Sequence, residues 1–165
     1  MKKSTIILIV IAVVAVIWGV SAYNGLVTMD ENVNTEWANV ETQYQRRADL
    51  IPNLVNTVKG YAAHESETLE SVIAARSKAT QITVDPSNLT PEKLAEYQEA
   101  QGAVTSALGK LLAISESYPD LKANQNFLEL QAQLEGTENR INEARRKFNN
   151  VAKEYNTAIR RFPKS

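Results

Sequence analysis

The chain holds one histidine, His64, and it is followed by Glu65. An imidazole beside a carboxylate is the pairing that a proton relay or a metal site would use. In a helical bundle such a site needs Glu-x-x-His on facing helices and further glutamates around them. Here Tyr61, not an acid, stands three residues before His64. There is no cysteine, no second histidine and no Gly-x-Ser-x-Gly, so thiol and serine nucleophiles of the usual kinds are lacking. No glycine-rich phosphate loop is present. The sequence therefore assigns no catalytic residue, metal or cofactor and reads as a non-enzyme. Asn88-Leu89-Thr90 is a glycosylation triplet only in a eukaryotic secretory setting.

What remains is polar chemistry suited to recognition. Arg46, Arg47, Asp49 and Asn53 cluster around Pro52, and Arg145, Arg146, Arg160 and Arg161 lie near the other end of the chain. Together they form the candidate interaction surface, facing a protein or a lipid. A structural role is the competing reading. In it Asp49 and Asn53 satisfy the backbone groups that Pro52 exposes, while the arginines pair with acids across a bundle.

The elements that would position these groups are helices. Residues Ile6 to Val20 carry no charged side chain. The twenty residues from Ser4 to Tyr23 would make about 30 Å of helix, one hydrocarbon thickness. Val20-Ser21-Ala22 resembles a signal-cleavage site, but the length of the run, with Trp18 and Tyr23 where an interfacial belt would lie, favours an uncleaved anchor. Lys2 and Lys3 precede the run, and Asp30, Glu31, Glu36 and Glu41 follow it before the next basic residue, Arg46. That asymmetry predicts a cytoplasmic N-terminus and an extracytoplasmic domain. The expected division is 1–23, N-terminus and transmembrane anchor, and 24–165, one helical domain. The domain has 16 basic against 19 acidic residues, a balance that argues against nucleic acid as partner.

Leu26, Val33, Trp37, Val40, Tyr44, Ile51, Leu54, Val58 and Tyr61 recur at steps of three and four or their sums, which predicts one long helix that passes Pro52 with a kink, Asp49 capping its second half. Leu69, Val72, Ile73 and Ile82 continue the pattern, as an extension or as a separate helix. Residues 84–88 read as a loop, and Thr90-Pro91-Glu92 as a helix start. Gly102 and Gly109 lower the propensity of the third helix or mark a close helix crossing. Ser117 to Asp120 is a second loop. From Leu121 onward Phe127, Leu134, Ile141, Phe148, Tyr155 and Phe162 repeat every seven residues, with Leu130, Ala144, Val151 and Ala158 beside them, until Pro163. A stripe that long, about 63 Å, must lie along a partner of similar length. Antiparallel pairing with the first helix sets its acidic start beside the basic end that carries Arg140, Arg145, Arg146, Lys147, Lys153, Arg160, Arg161 and Lys164. An oligomer seam is the alternative use of the same stripe.

The run from Gln45 to Val55, QRRADLIPNLV, continuing through Val58-Lys59-Gly60-Tyr61-Ala62 and His64-Glu65, resembles the signature of the LemA family. So do Ala123 to Phe127, Leu130-Gln131, Leu134 to Ile141, Ala144-Arg145-Arg146 and Tyr155 to Ile159 with Phe162-Pro163. Phe148-Asn149 departs from the Tyr-Asn more usual there, and residues 77–118 match less distinctly. The resemblance implies an all-α, single-pass bacterial membrane protein with an antiparallel bundle of long helices. It supplies no established activity. The function expected from the sequence is a membrane-anchored scaffold or interaction protein of the cell envelope; the candidate partners are the bilayer, an unidentified envelope protein and a second copy of the chain. The alternative is an organiser that binds anionic lipid through its basic helix end.

Overall fold

A computed structural model describes residues 3–161. They form five α-helices: α1 (Lys3–Lys59), α2 (Ser66–Gln81), α3 (Pro91–Ser115), α4 (Pro119–Ala123) and α5 (Gln125–Arg160), with a 3₁₀ turn at Pro86–Asn88. No strand occurs among the described residues.

Helix α1 has 57 residues, about 86 Å, and runs unbroken from the apolar segment into the body of the molecule. Its first part is bare. Ile6 to Val20 leave every large apolar side chain exposed, and the most apolar stretch of the helix is not buried at all. From Trp37 onward α1 buries one stripe: Trp37, Val40, Tyr44, Ile51, Leu54 and Val58. Tyr61, expected in that stripe, lies past the helix end and is exposed; its hydroxyl accepts a hydrogen bond from Asn124 Nδ2 at 2.9 Å.

Residues 60–65 reverse the chain, so α2 is a separate helix and not a prolongation of α1. Arg76 of α2 reaches Ala48 of α1, which fixes the two as an antiparallel hairpin. Leu69, Val72 and Ala79 face the core, whereas Ile73 points outward, because only one edge of α2 touches its neighbours. In the following connection Asp85 Oδ1 accepts hydrogen bonds from Ser87 N (2.9 Å) and Ser87 Oγ (2.6 Å). Thr90 caps α3 as expected, its hydroxyl accepting from Lys93 N at 3.2 Å, with Pro91 at the first position. Neither Gly102 nor Gly109 lies at a close crossing: a Cβ on either would meet nothing within 4 Å.

The long final helix begins later than its periodicity suggests. Asn124 leaves the helical conformation and accepts from Phe127 N at 2.9 Å, so Pro119–Ala123 becomes a short separate helix and α5 starts at Gln125. Phe127, Leu134, Ile141 and Phe148 are buried, with Leu130, Thr137 and Ala144 beside them. Tyr155, Val151 and Ala158 are half-buried. Phe162 and Pro163 lie outside the described residues.

Helices α1 and α5 run antiparallel. Thr57 meets Asn126, Arg47 meets Glu138 and Trp37 meets Phe148, so one number falls as the other rises. On α3, Tyr97 lies against Trp37 and Tyr44, and Gln101 and Thr105 against Arg47, which sets α3 parallel to α1. The body is thus an up-down-up-down bundle. Its core has two parts: aliphatic residues around Leu54, Val58, Leu111, Leu121 and Phe127, and an aromatic part with Trp37, Tyr44, Tyr97 and Phe148.

Extending the α1–α5 register brings Arg160 and Arg161 level with Asn24 and Gly25, where the apolar run ends. Among the described residues, the expected ion pairs between the acidic start of α1 and the basic end of α5 do not form. Glu143 binds Arg146 and Lys147 on its own helix instead. The charges lie on the outer faces, where exposed pairs contribute little.

Candidate functional site

The heptad row Leu26, Val33, Val40, Arg47, Leu54, Tyr61 places one guanidinium in an apolar stripe. Arg47 is 1 % exposed. Its Nη1 donates to Thr105 Oγ1 (2.7 Å) and Glu138 Oε1 (2.9 Å); its Nη2 donates to the Gln101 carbonyl (2.9 Å) and Gln101 Oε1 (2.8 Å). The Tyr44 ring stacks against it, centroid 5.1 Å from Cζ. A buried charge is tolerable when its donors are met in this way. Arg47 therefore ties α1, α3 and α5 together and is not part of an interaction surface. The expectation that the arginines pair across the bundle holds for Arg47 only; Arg46 forms no ion pair within 4.0 Å among the described residues.

One turn further on, Pro52 has no N–H to give the Ala48 carbonyl, and Ala48 is buried. Arg76 Nε on α2 donates to that carbonyl at 2.8 Å. Asp49 and Asn53 do not repair the gap. Asp49 Oδ1 accepts from Gln45 Nε2, and the Asn53 carbonyl accepts from Thr57 Oγ1. Arg76→Met should destabilise the bundle by about 1–2 kcal/mol, the cost of an unsatisfied buried acceptor. In a Pro52→Ala background the loss should shrink, because residue 52 then supplies its own donor. Urea melts of the four proteins of this cycle measure the coupling.

Two open grooves flank this region. The larger, about 670 Å³, runs between α1 and α2 and is lined by Glu41, Asp49, Arg46, Arg76, Tyr97 and Gln101 among others. Its charges are of both signs. Burial raises the Glu41 carboxyl above its ordinary range, partly opposed by the Trp37 indole. The Trp37 Nε1–H is buried and, among the described residues, lacks a partner at hydrogen-bonding geometry. Burial also raises the Tyr44 phenol, against the pull of Arg145 and Arg47, and raises Tyr97 further still. Both phenols stay neutral through the physiological range, so neither is a base.

The second groove, about 560 Å³, lies between α1 and α5, lined by Arg46, Leu50, Ala132, Gln133, Gly136, Thr137 and Arg140. Gly136 is inside α5, yet a Cβ there would meet nothing within 4 Å. Gly136→Ala should therefore raise stability by about 0.5–1 kcal/mol, read as a higher melting temperature.

The other proposed surface residues do not converge. Arg46, Asp49 and Asn53 are exposed on α1, Arg145 and Arg146 on α5, and Arg160 and Arg161 at the opposite end of the body. His64 is exposed in the α1–α2 turn, and among the described residues no three of His, Cys, Asp and Glu come together. Sequence reasoning missed Arg76, Gln101, Thr105 and Glu138. The signal available was a polar residue in each facing stripe: Arg47 in one heptad row and Thr137, beside Glu138, in another.

A family model described as the LemA family matches residues 36–165, the bundle from the Trp37 turn onward. The chain belongs to the LemA family. Among curated relatives, this LemA-family chain is 29 % identical over 158 residues to magnetosome protein MamQ of Magnetospirillum gryphiswaldense, covering 86 % of the chain and 58 % of that protein. It is 27 % identical over 177 residues to magnetosome protein MamQ 2 of Paramagnetospirillum magneticum, covering 94 % and 65 %. It is 28 % identical over 123 residues to protein LemA of Metamycoplasma hominis, covering 74 % and 52 %. The chain thus spans between half and two thirds of the length of these relatives. Family membership and the bare apolar first part of α1 fit a membrane-associated protein.

Proposed function

We propose that this LemA-family chain is a membrane-anchored scaffold or interaction protein of the bacterial cell envelope, without catalytic activity. Residues 1–23 form the anchor and residues 24–165 an extracytoplasmic bundle that presents its surface to a protein partner. The observation that carries this reading is the unbroken α1, exposed and apolar at one end and core-forming at the other. A bare apolar face of that length is stable in hydrocarbon and unstable in water. Arg47, Gln101, Thr105 and Arg76 are engaged in holding helices together.

Lys2 and Lys3 ahead of the span support an N-in orientation. A C-terminal alkaline phosphatase fusion should be active in intact bacteria and should sediment with the inner membrane. A fusion active only as a cytoplasmic reporter would reverse the orientation, and a mature protein beginning at Tyr23 would make the run a cleaved signal.

A second reading has its own observation. The α1–α5 register sets Arg160 and Arg161 level with the end of the apolar run, where each arginine near anionic lipid contributes about 1 kcal/mol. In that reading the basic end fastens the bundle to the bilayer. Binding of residues 24–165 to anionic but not zwitterionic liposomes, lost in Arg160→Gln/Arg161→Gln, would favour it.

A further inference from the structure

We propose that the groove between α1 and α5, bounded by Arg46 and Arg140, is the docking site for an acidic segment of a protein partner. The proposal rests on the interaction-protein reading and names the chemistry of its partner. Two guanidiniums bound the groove, and no carboxylate lines it. Among the described residues neither arginine has an ion-pair partner within 4.0 Å, whereas Arg47 and Arg146 each have one. Arg46 borders both grooves; the one between α1 and α2 is also lined by Glu41 and Asp49, although neither pairs with Arg46 within 4.0 Å, whereas this one has no carboxylate in its lining.

The groove floor has the same character. The α1–α5 register sets Arg46 and Arg140 side by side, and Leu50, Gly136 and Ala132 line the groove over the next two turns away from the apolar run. Among the described residues a Cβ on Gly136 would meet nothing within 4 Å, so the missing side chain makes room for no internal contact. Gly102 and Gly109 are equally open, but neither lines this groove or the one between α1 and α2. A small-residue lining that runs on from a pair of arginines accepts an amphipathic segment that lays apolar side chains down and turns carboxylates to the arginines, which bind them bidentately. Lipid is the other common anion at this protein. Arg46 stands 23 residues beyond Tyr23 on one helix, about 35 Å from the end of the apolar run, which is beyond headgroup reach for a bundle standing on its span.

The test uses the full chain in nanodiscs of zwitterionic lipid, with a fluorescent helical peptide of glutamate, leucine and alanine as probe and its lysine counterpart as control. The glutamate peptide should bind, weaken as salt rises, and bind about tenfold more weakly to Arg46→Gln/Arg140→Gln. Arg145→Gln/Arg146→Gln should bind as wild type. Gly136→Leu should block the groove without lowering the melting temperature. Arg46→Glu/Arg140→Glu should exchange preference towards the lysine peptide, a gain that misfolding cannot produce. Equal affinity across these variants would overturn the proposal. Displacement of the peptide by equimolar inorganic phosphate would make the groove a small-anion site and overturn it too, as would loss of anionic-vesicle binding in the Arg46/Arg140 variants with peptide binding intact. The topology and fractionation results bear on the anchor and envelope location alone, so failure there and failure here are separable.

Discussion

Arg47→Ala should destabilise the bundle by about 3–5 kcal/mol, the range for removing one partner of a buried pair. The guanidinium fills volume between three helices and satisfies Gln101, Thr105 and Glu138 at once. Truncation leaves a hole and strands those acceptors. Glu138 is one-third exposed and regains water, which places the loss toward the lower part of that range. Arg47→Met keeps most of the volume and should cost less than Arg47→Ala. Arg47→Met with Glu138→Leu should recover part of that loss, because no charge then remains unpaired. Denaturant melts of these variants give the ordering. An Arg47→Ala protein that melts like wild type would show that the network contributes no net stability.

Phe148→Ala should cost about 3–5 kcal/mol. The ring is buried, with its centroid 5.0 Å from that of Trp37, which in turn lies 5.2 Å from Tyr97. Removing it opens a cavity bounded by stiff aromatic neighbours that cannot collapse into it, and it deletes one tilted ring pair. Tyr155→Ala, one heptad later, should cost much less because Tyr155 is only half-buried. Thermal melts of the two variants should differ clearly. Equal losses would mean that the α1–α5 seam is as tightly covered near the apolar run as it is in the body.

The all-helical architecture and the antiparallel seam were legible because both long helices keep a heptad stripe over many turns, and such stripes leave little freedom in pairing. Val33 and Ala152 both border the aromatic core, in keeping with the expected nearness of Val33 to Tyr155. The breaks were less legible. Asn124 ends one helix and caps the next through a single side-chain oxygen, while the apolar spacing passes over it without a change of phase. The repair at Pro52 was out of reach, since the donor comes from Arg76 on another helix. Arg46 and Arg47 are adjacent and alike in type, yet one is exposed and the other fills the core. Only the heptad phase separates them, and reading phase for charged residues as well as apolar ones would have found Arg47. Arg160 and Arg161 lie level with the end of the apolar run and away from Pro52, because likeness of charge does not set position along a rod.

That rod has a mechanical meaning. With no joint between the apolar segment and the body, the proposed anchoring would make α1 a lever whose fulcrum is the bilayer surface. From Tyr23 to Lys59 the arm is about 54 Å, so a 10° change in the tilt of the span swings its far tip by about 9 Å. A rotation of the span about its own axis turns the outward faces of the body by the same angle. On that anchoring, bilayer thickness and curvature, which set tilt, would become lateral motion at the far end of the molecule.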